Sequence, residues 1–275
     1  MDNTMILKTN GIDVDKGLEL LGDMSMYNSI LKEFYDGYYN RMKKIEALKL
    51  SSDMENYAIE VHSLKSDSKY LGFTKLAELA YNHEMASKAG DITSVNLHYN
   101  ELVIEGNRVI GVVQEYFMKN SENPDTNNEG SADIAPSEDV VMISKEDIDN
   151  ATQAILVADD SVIIRDFVKE IFHDNYSVLM AKDGREVINI INSNSNIAAL
   201  LLDLNMPGVD GFAVLDYFRE HDLFKKIPVS IISGANDKAS IDKAFSYNIV
   251  DMLNKPFNKS NVKLVVEKTI ASKSI

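Results

Sequence analysis

The sequence predicts two domains, an all-α antiparallel helix bundle and an α/β doubly wound sheet of five parallel strands, and three observations lead to that expectation. Through residues 1–119, apolar side chains recur at three- and four-residue steps, the spacing of one buried helix face. Through residues 151–275, short apolar runs alternate with helical patterns, as strands each followed by a helix must. Between them, residues 120–150 carry Pro124, Gly130, Pro136 and many acidic or small polar side chains, too little apolar surface to offset the entropy of ordering.

In the first part, Tyr27, Ile30, Leu31, Phe34, Tyr38, Met42, Ile45 and Leu48 form one long stripe, preceded by a short helix around 14–21. Ser52 and Glu55 read as a capping box opening a second long helix, whose stripe is Ala58, Val61, Leu64, Ser68 and Leu71 and which Gly72 ends. Leu76, Leu79, Ala80, His83 and Ala86 continue to Gly90, and Leu102, Val109, Val113 and Phe117 supply a last helix. Short turns between such amphipathic helices favour an antiparallel bundle. The acidic segment, as a flexible coil, would span on the order of 30 Å. The strands are AILVA (154–158), SVLMA (177–181), AALLLD (198–203), VSIIS (229–233) and VDML (250–253).

The formal net charge of -15 disfavours polyanionic partners, so neither nucleic acid nor anionic lipid is expected. No run approaches the ~20 apolar residues of a membrane helix, the N-terminus lacks the order of a signal peptide, and there are no cysteines. A cytoplasmic protein with protein partners is expected.

Chemistry enters at the strand ends, because open doubly wound sheets bind ligands beyond the carboxyl ends of their strands, where the strand order reverses. The first strand runs into Asp159 and Asp160, the third ends in Asp203, the fourth in Ser233, and Lys255-Pro256 follows the fifth. Carboxylates crowded at ~4 Å repel by a few kcal/mol per pair at an effective dielectric of about 20, and a cation relieves this. Oxygen ligands without His or Cys favour Mg²⁺. Asp203 can then act as nucleophile toward a phosphoryl group, with the metal, Lys255 and the Ser233 hydroxyl meeting its oxygens. The motifs ILVADDS (155–161), LLLDLNMPGVDGF (200–212), IISGA (231–235) and NKPF (254–257) resemble response-regulator receiver domains, of flavodoxin-like fold. The resemblance implies that Asp203 is the phosphoacceptor and that Asp159, Asp160 and the Asn205 backbone carbonyl join it in holding Mg²⁺. It also implies that Ser233 and Lys255 contact the phosphoryl group. Met252 stands where receivers usually carry a Tyr or Phe switch.

On the second long helix, His62 is offset from the apolar stripe and is expected at the bundle surface, with Lys65, Ser66 and Lys69 following on the same side. Lysines favour a phosphoryl group on that imidazole, and a serine leaves room for a docking partner. The run VHSLKSDSKYLGFTKLAEL (61–79) is similar to histidine-containing phosphotransfer domains, in the spacing of His62, Lys65 and Gly72. Ser66 replaces their commoner glycine or alanine. His83 is expected as a hydrogen-bonded core residue, and His98, His173 and His221 as surface positions.

No glycine-rich nucleotide box is present, so the chain is expected to receive phosphate rather than take it from ATP, and not to be an enzyme. The expected role is a phosphorelay intermediate carrying phosphoryl groups on His62 and Asp203, in this chain or toward a partner. Expected partners are a sensor histidine kinase and other receiver or phosphotransfer proteins, with a receiver-mediated homodimer allowed. No output domain is expected after residue 275, and the signal is expected to leave by protein contact or onward transfer. A haloacid-dehalogenase-type phosphatase would need a second aspartate where Asn205 stands, and a docking module without phosphorylation is the remaining alternative.

Overall fold

In the computed structural model, residues 4–121, 153–194, 196–234 and 238–274 are described. The helical part comprises α1 (Met5–Thr9), α2 (Val14–Leu21), α3 (Met24–Leu50), α4 (Met54–Tyr70), α5 (Thr74–Lys88) and α6 (Ile92–Ser121). α3 packs on α4 and α6, and α5 closes the ring between α4 and α6. The predicted α3 stripe from Tyr27 to Ile45 is buried, as are Ala58, Val61, Leu64 and Ser68 of α4 and Leu71 just beyond its end. α4 begins one residue later than the expected capping box, because Asp53 accepts from the Asn56 backbone N–H while Ser52 adopts a φ of 56°. At the other end of α4, Gly72 has a φ of +74°, and a Cβ there would lie 2.1 Å from the Asp13 carbonyl. No other residue lets α2 and α4 approach so closely. The expected linker lies almost wholly outside the described residues, except that Asn120 and Ser121 belong to α6.

The sheet contains β1 (Ala154–Ala158), β2 (Ser177–Ala181), β3 (Ile197–Asp203), β4 (Val229–Gly234) and β5 (Met252–Lys255), all parallel in the order β2-β1-β3-β4-β5. The helices are α7 (Val162–Phe172), α8 (Gly184–Ser193), α9 (Gly211–Glu220), α10 (Lys238–Ala244) and α11 (Lys259–Ala271). Alternate strand residues serve opposite faces. Ile155, Val157 and Ile232 pack under α7 and α11, whereas Leu156, Leu202 and Ile231 pack under α8, α9 and α10. The first of these layers is continuous with the interior of the helical part, through Tyr70, Phe167 and Phe257. Among the described residues, no helix is long and apolar enough to cross a membrane.

Candidate functional site

Strand order reverses between β1 and β3, and the predicted carboxylates flank that point. One oxygen from each of Asp159, Asp160 and Asp203 lies within 4.8 Å of the others. Lys255, at the end of β5, places Nζ 2.6 Å from Asp203 Oδ2 and 2.8 Å from Asp159 Oδ2. Asp203 Oδ1 accepts from the Asn205 N–H at 3.1 Å, and Asp159 Oδ1 from the Ser161 N–H at 2.9 Å. Gly211 permits this turn, since a Cβ there would sit 2.3 Å from the Asp203 carbonyl. The Ser233 hydroxyl, near the end of β4, donates to the Gly234 carbonyl at 3.4 Å.

Three carboxylates meet one ammonium, so the pocket is short of positive charge. Burial raises Asp159 well above the ordinary carboxylate range, Asp203 and Asp160 add to it, and Lys255 pulls the other way. Burial and repulsion from Asp203 likewise raise Asp160. Burial acts to lower Lys255, but Asp159, Asp203 and Asp160 together outweigh it and hold the ammonium above its usual value. Asp160 Oδ1 is buried and has no hydrogen-bond partner among the described residues. That orphaned oxygen, the uncompensated charge and the all-oxygen donor set fit a hard divalent cation.

His62 differs from expectation. It is 5% exposed, because α4 lies across the mouth of this pocket and the sheet domain covers the face predicted to meet solvent. A Cβ built on Gly234 would lie 3.8 Å from His62 Cε1. The imidazole shares a cavity of about 350 Å³ with Lys65, Lys69, Asn205, Gly234 and Lys255. Its Nδ1 is 2.8 Å from Glu84 Oε1. A carboxylate only accepts, so Nδ1 of the neutral ring carries the proton and the lone pair is on Nε2. That Nε2 is buried without a hydrogen bond among the described residues.

Glu84 on α5 is the organising residue that sequence reasoning missed. It accepts from Lys65 Nζ at 2.6 Å and Lys88 Nζ at 2.8 Å besides meeting His62. Burial would raise Glu84, yet His62 and Lys65 hold it well below the usual carboxylate range. Lys65 lies 3.2 Å from His62 Nδ1, and burial lowers it against the pull of Glu84. A signal was present, since Glu84 falls in register with Leu76 and Ala80 on the apolar stripe, where a charge needs a partner. His83 accepts its expected core role through Tyr57, whose hydroxyl is 2.8 Å from Nδ1, while His98, His173 and His221 are exposed.

The response regulator receiver domain family matches residues 155–267. That segment is a receiver domain. Response regulator RR06 of Streptococcus pneumoniae serotype 2 is 37% identical over 106 residues, 38% of this chain and 46% of that protein. Two-component response regulator ORR3 of Oryza sativa is 26% identical over 117 residues, 42% of this chain and 89% of the relative. The receiver is also similar to the chemotaxis response regulator CheY4 of Vibrio cholerae, with 24% identity over 43% of this chain and 98% of that one, at a TM-score of 0.40. This chain thus spans less than half the length of the pneumococcal relative.

Where the helices meet the receiver, Glu33 of α3 faces Asp166 of α7. Burial, the hydrogen bond to Asp166 and repulsion from Asp166 and Asp67 push Glu33 up to about 8 against the pull of Arg165. A folded value above the ordinary one means the stabilising proton is fully held below the ordinary range and lost as pH rises through about 8. Thermal unfolding should therefore find wild type and Glu33→Gln alike near about pH 4, with wild type falling behind by about pH 9. Parallel curves across that range would contradict the shared proton.

Proposed function

We propose that this chain is a phosphorelay protein in which His62 and Asp203 exchange a phosphoryl group. The observation that carries this reading is the position of His62: its imidazole lies against the end of β4, in a cavity shared with Lys255 and Asn205, with Nε2 free of hydrogen bonds among the described residues. The cavity wall carries four lysines, Lys65, Lys69, Lys88 and Lys255, against Glu84 alone, a balance suited to an anionic group. Its volume of about 350 Å³ exceeds that of several waters at ~30 Å³ each.

In the transfer, the P–N bond to Nε2 breaks and its electron pair stays on the ring, while an Asp203 oxygen forms the new P–O bond. With Nδ1 protonated and facing Glu84, the imidazole leaves neutral, so no proton need move during the step. The reverse transfer builds positive charge on the ring, which the Glu84 carboxylate stabilises. Lys255 already touches Asp203 and is placed to follow the charge onto the phosphoryl oxygens. Mg²⁺, held by Asp159, Asp160, Asp203 and the Asn205 carbonyl, would supply further positive charge there. The phosphoryl group itself comes from a partner, a sensor kinase or another phosphotransfer protein.

The test supplies a phosphorylated relay donor and Mg²⁺ to wild type, His62→Gln and Asp203→Asn chains. The expected result is an acid-labile label that requires His62 and a base-labile label that requires Asp203. Equal labelling of all three chains overturns the assignment.

A further inference from the structure

One face of α4 is engaged with the receiver at three points spaced i, i+4 and i+7. The Ser63 hydroxyl donates to Asp160 Oδ2. Asp67 Oδ1 accepts from the Ser161 hydroxyl at 2.5 Å. The Tyr70 hydroxyl accepts from the Phe257 backbone N–H at 3.1 Å, and its ring packs edge-on to Phe257 with centroids 5.6 Å apart. Ser63, Asp67 and Tyr70 are 4%, 1% and 1% exposed, and burial pushes the Tyr70 phenol up, so it stays neutral.

Asp67 is the charged member. Its other oxygen meets the Arg41 guanidinium from α3, so the carboxylate lies between a fixed cation and the N-terminus of α7, whose cap is Ser161. An anion at a helix N-terminus is favoured by the aligned backbone dipoles. Arg41 stays with Asp67 whatever docks, but a surface without the Ser161 hydroxyl would leave the other carboxylate oxygen buried and unpaired, which makes this contact selective for a surface offering a hydroxyl cap at that spot.

We propose that Ser63, Asp67 and Tyr70 form a docking surface for the receiver of the same chain, with Asp67 as its specificity determinant. Phosphoryl exchange between His62 and Asp203 then runs within one chain in preference to between chains, and docking shields His62 from outside donors. This rests on the phosphorelay reading and adds its partner. Sites joined in one chain meet at effective concentrations in the ~millimolar range, far above ordinary protein concentrations.

The full-length chain tests this in two ways. First, wild type is compared with a mixture of His62→Gln and Asp203→Asn chains, each carrying one site. Wild-type transfer should be independent of dilution, and the mixture should be at least ~10-fold slower at micromolar protein and slow further on dilution. Transfer in the mixture that matches wild type at every concentration would overturn the proposal, pointing to exchange between copies.

Second, Asp67→Lys should take label from the donor onto His62 at least ~10-fold faster, while passing it to Asp203 at least ~10-fold more slowly. Opposite changes in two steps separate undocking from misfolding, which would slow both. Ser161→Asp is the second variant: aspartate still caps α7 but repels Asp67, and the same pair of changes is expected. Neither variant moving either rate would sink the proposal. Hydrogen exchange of the unphosphorylated chain reads docking even if the phosphorelay assignment fails. The Phe257 amide should exchange faster in Asp67→Lys and Ser161→Asp than in wild type, and unchanged protection in both would overturn the docking surface independently of any label.

Discussion

A Lys255→Met chain is expected to be less stable than wild type by about 3–5 kcal/mol in magnesium-free buffer, the cost of leaving buried charge without its partner. Lys255 is 6% exposed and is the ammonium between Asp159, 0% exposed, and Asp203, 1% exposed. Methionine keeps much of the length and the apolar stem while deleting the charge. Three crowded carboxylates would then repel one another unrelieved, at roughly 4 kcal/mol per charge pair at 4 Å and an effective dielectric of about 20. A divalent cation can replace the missing charge, so millimolar Mg²⁺ should raise the Tm of Lys255→Met more than that of wild type. Scanning calorimetry with and without Mg²⁺ checks both. A loss below about 1 kcal/mol, the range of an exposed ion pair, would show that the lysine is not the pocket's counter-charge.

Glu84→Gln is expected to slow transfer from Asp203 to His62, the direction that builds positive charge on the ring, by about 10- to 100-fold. A hydrogen bond to a charged group contributes about 1.5–3 kcal/mol, and each 1.36 kcal/mol of barrier is tenfold in rate. Glutamine preserves the shape of Glu84, which is 2% exposed, but removes the charge that faces His62, Lys65 and Lys88. Its amide also presents either an acceptor or a donor to Nδ1, so the imidazole no longer favours one tautomer. Glu84 acts through His62 and is a positioning residue. The nitrogen chemical shifts of the His62 ring should accordingly move from the Nδ1–H form toward a mixture in Glu84→Gln. Unchanged shifts with a slowed rate would assign Glu84 a purely structural part.

Most of the sheet domain was legible because its signals are local. Apolar runs gave all five strands, and the side chains that terminate them needed only the parallel topology to converge. Asp159, Asp160, Asp203 and Lys255 meet as the strand-end rule requires. Ser233 stands beside the end of β4, as the apolar run VSIIS implied, but the direction of its hydroxyl is a rotamer that sequence does not specify. On the bundle, the apolar stripes marked four long helices, but α1 has only five residues and too short a pattern to detect. The Ser52 cap was displaced by Asp53, an equally good capping residue one position on.

The burial of His62 was not legible for a different reason. Periodicity reports which face of a helix is apolar, and the face bearing His62, Ser63 and Asp67 is polar; Glu84 of α5 meets His62, while Ser63 and Asp67 find their partners on the receiver, which covers the face. Tyr70 was a weak clue, a large aromatic beside the stripe with no place inside the bundle.

That tyrosine has a consequence for how such chains can diversify. Its ring leans on Phe167 and Phe257 alike, and these two rings stack with centroids 6.2 Å apart, so a single aromatic cluster serves both halves of the molecule. Trimming Phe257 would leave a hole bordered by bundle and sheet together. A chimera that pairs these helices with a foreign receiver inherits the mismatch unless Tyr70, Phe167 and Phe257 travel together, which makes the two halves one unit of exchange.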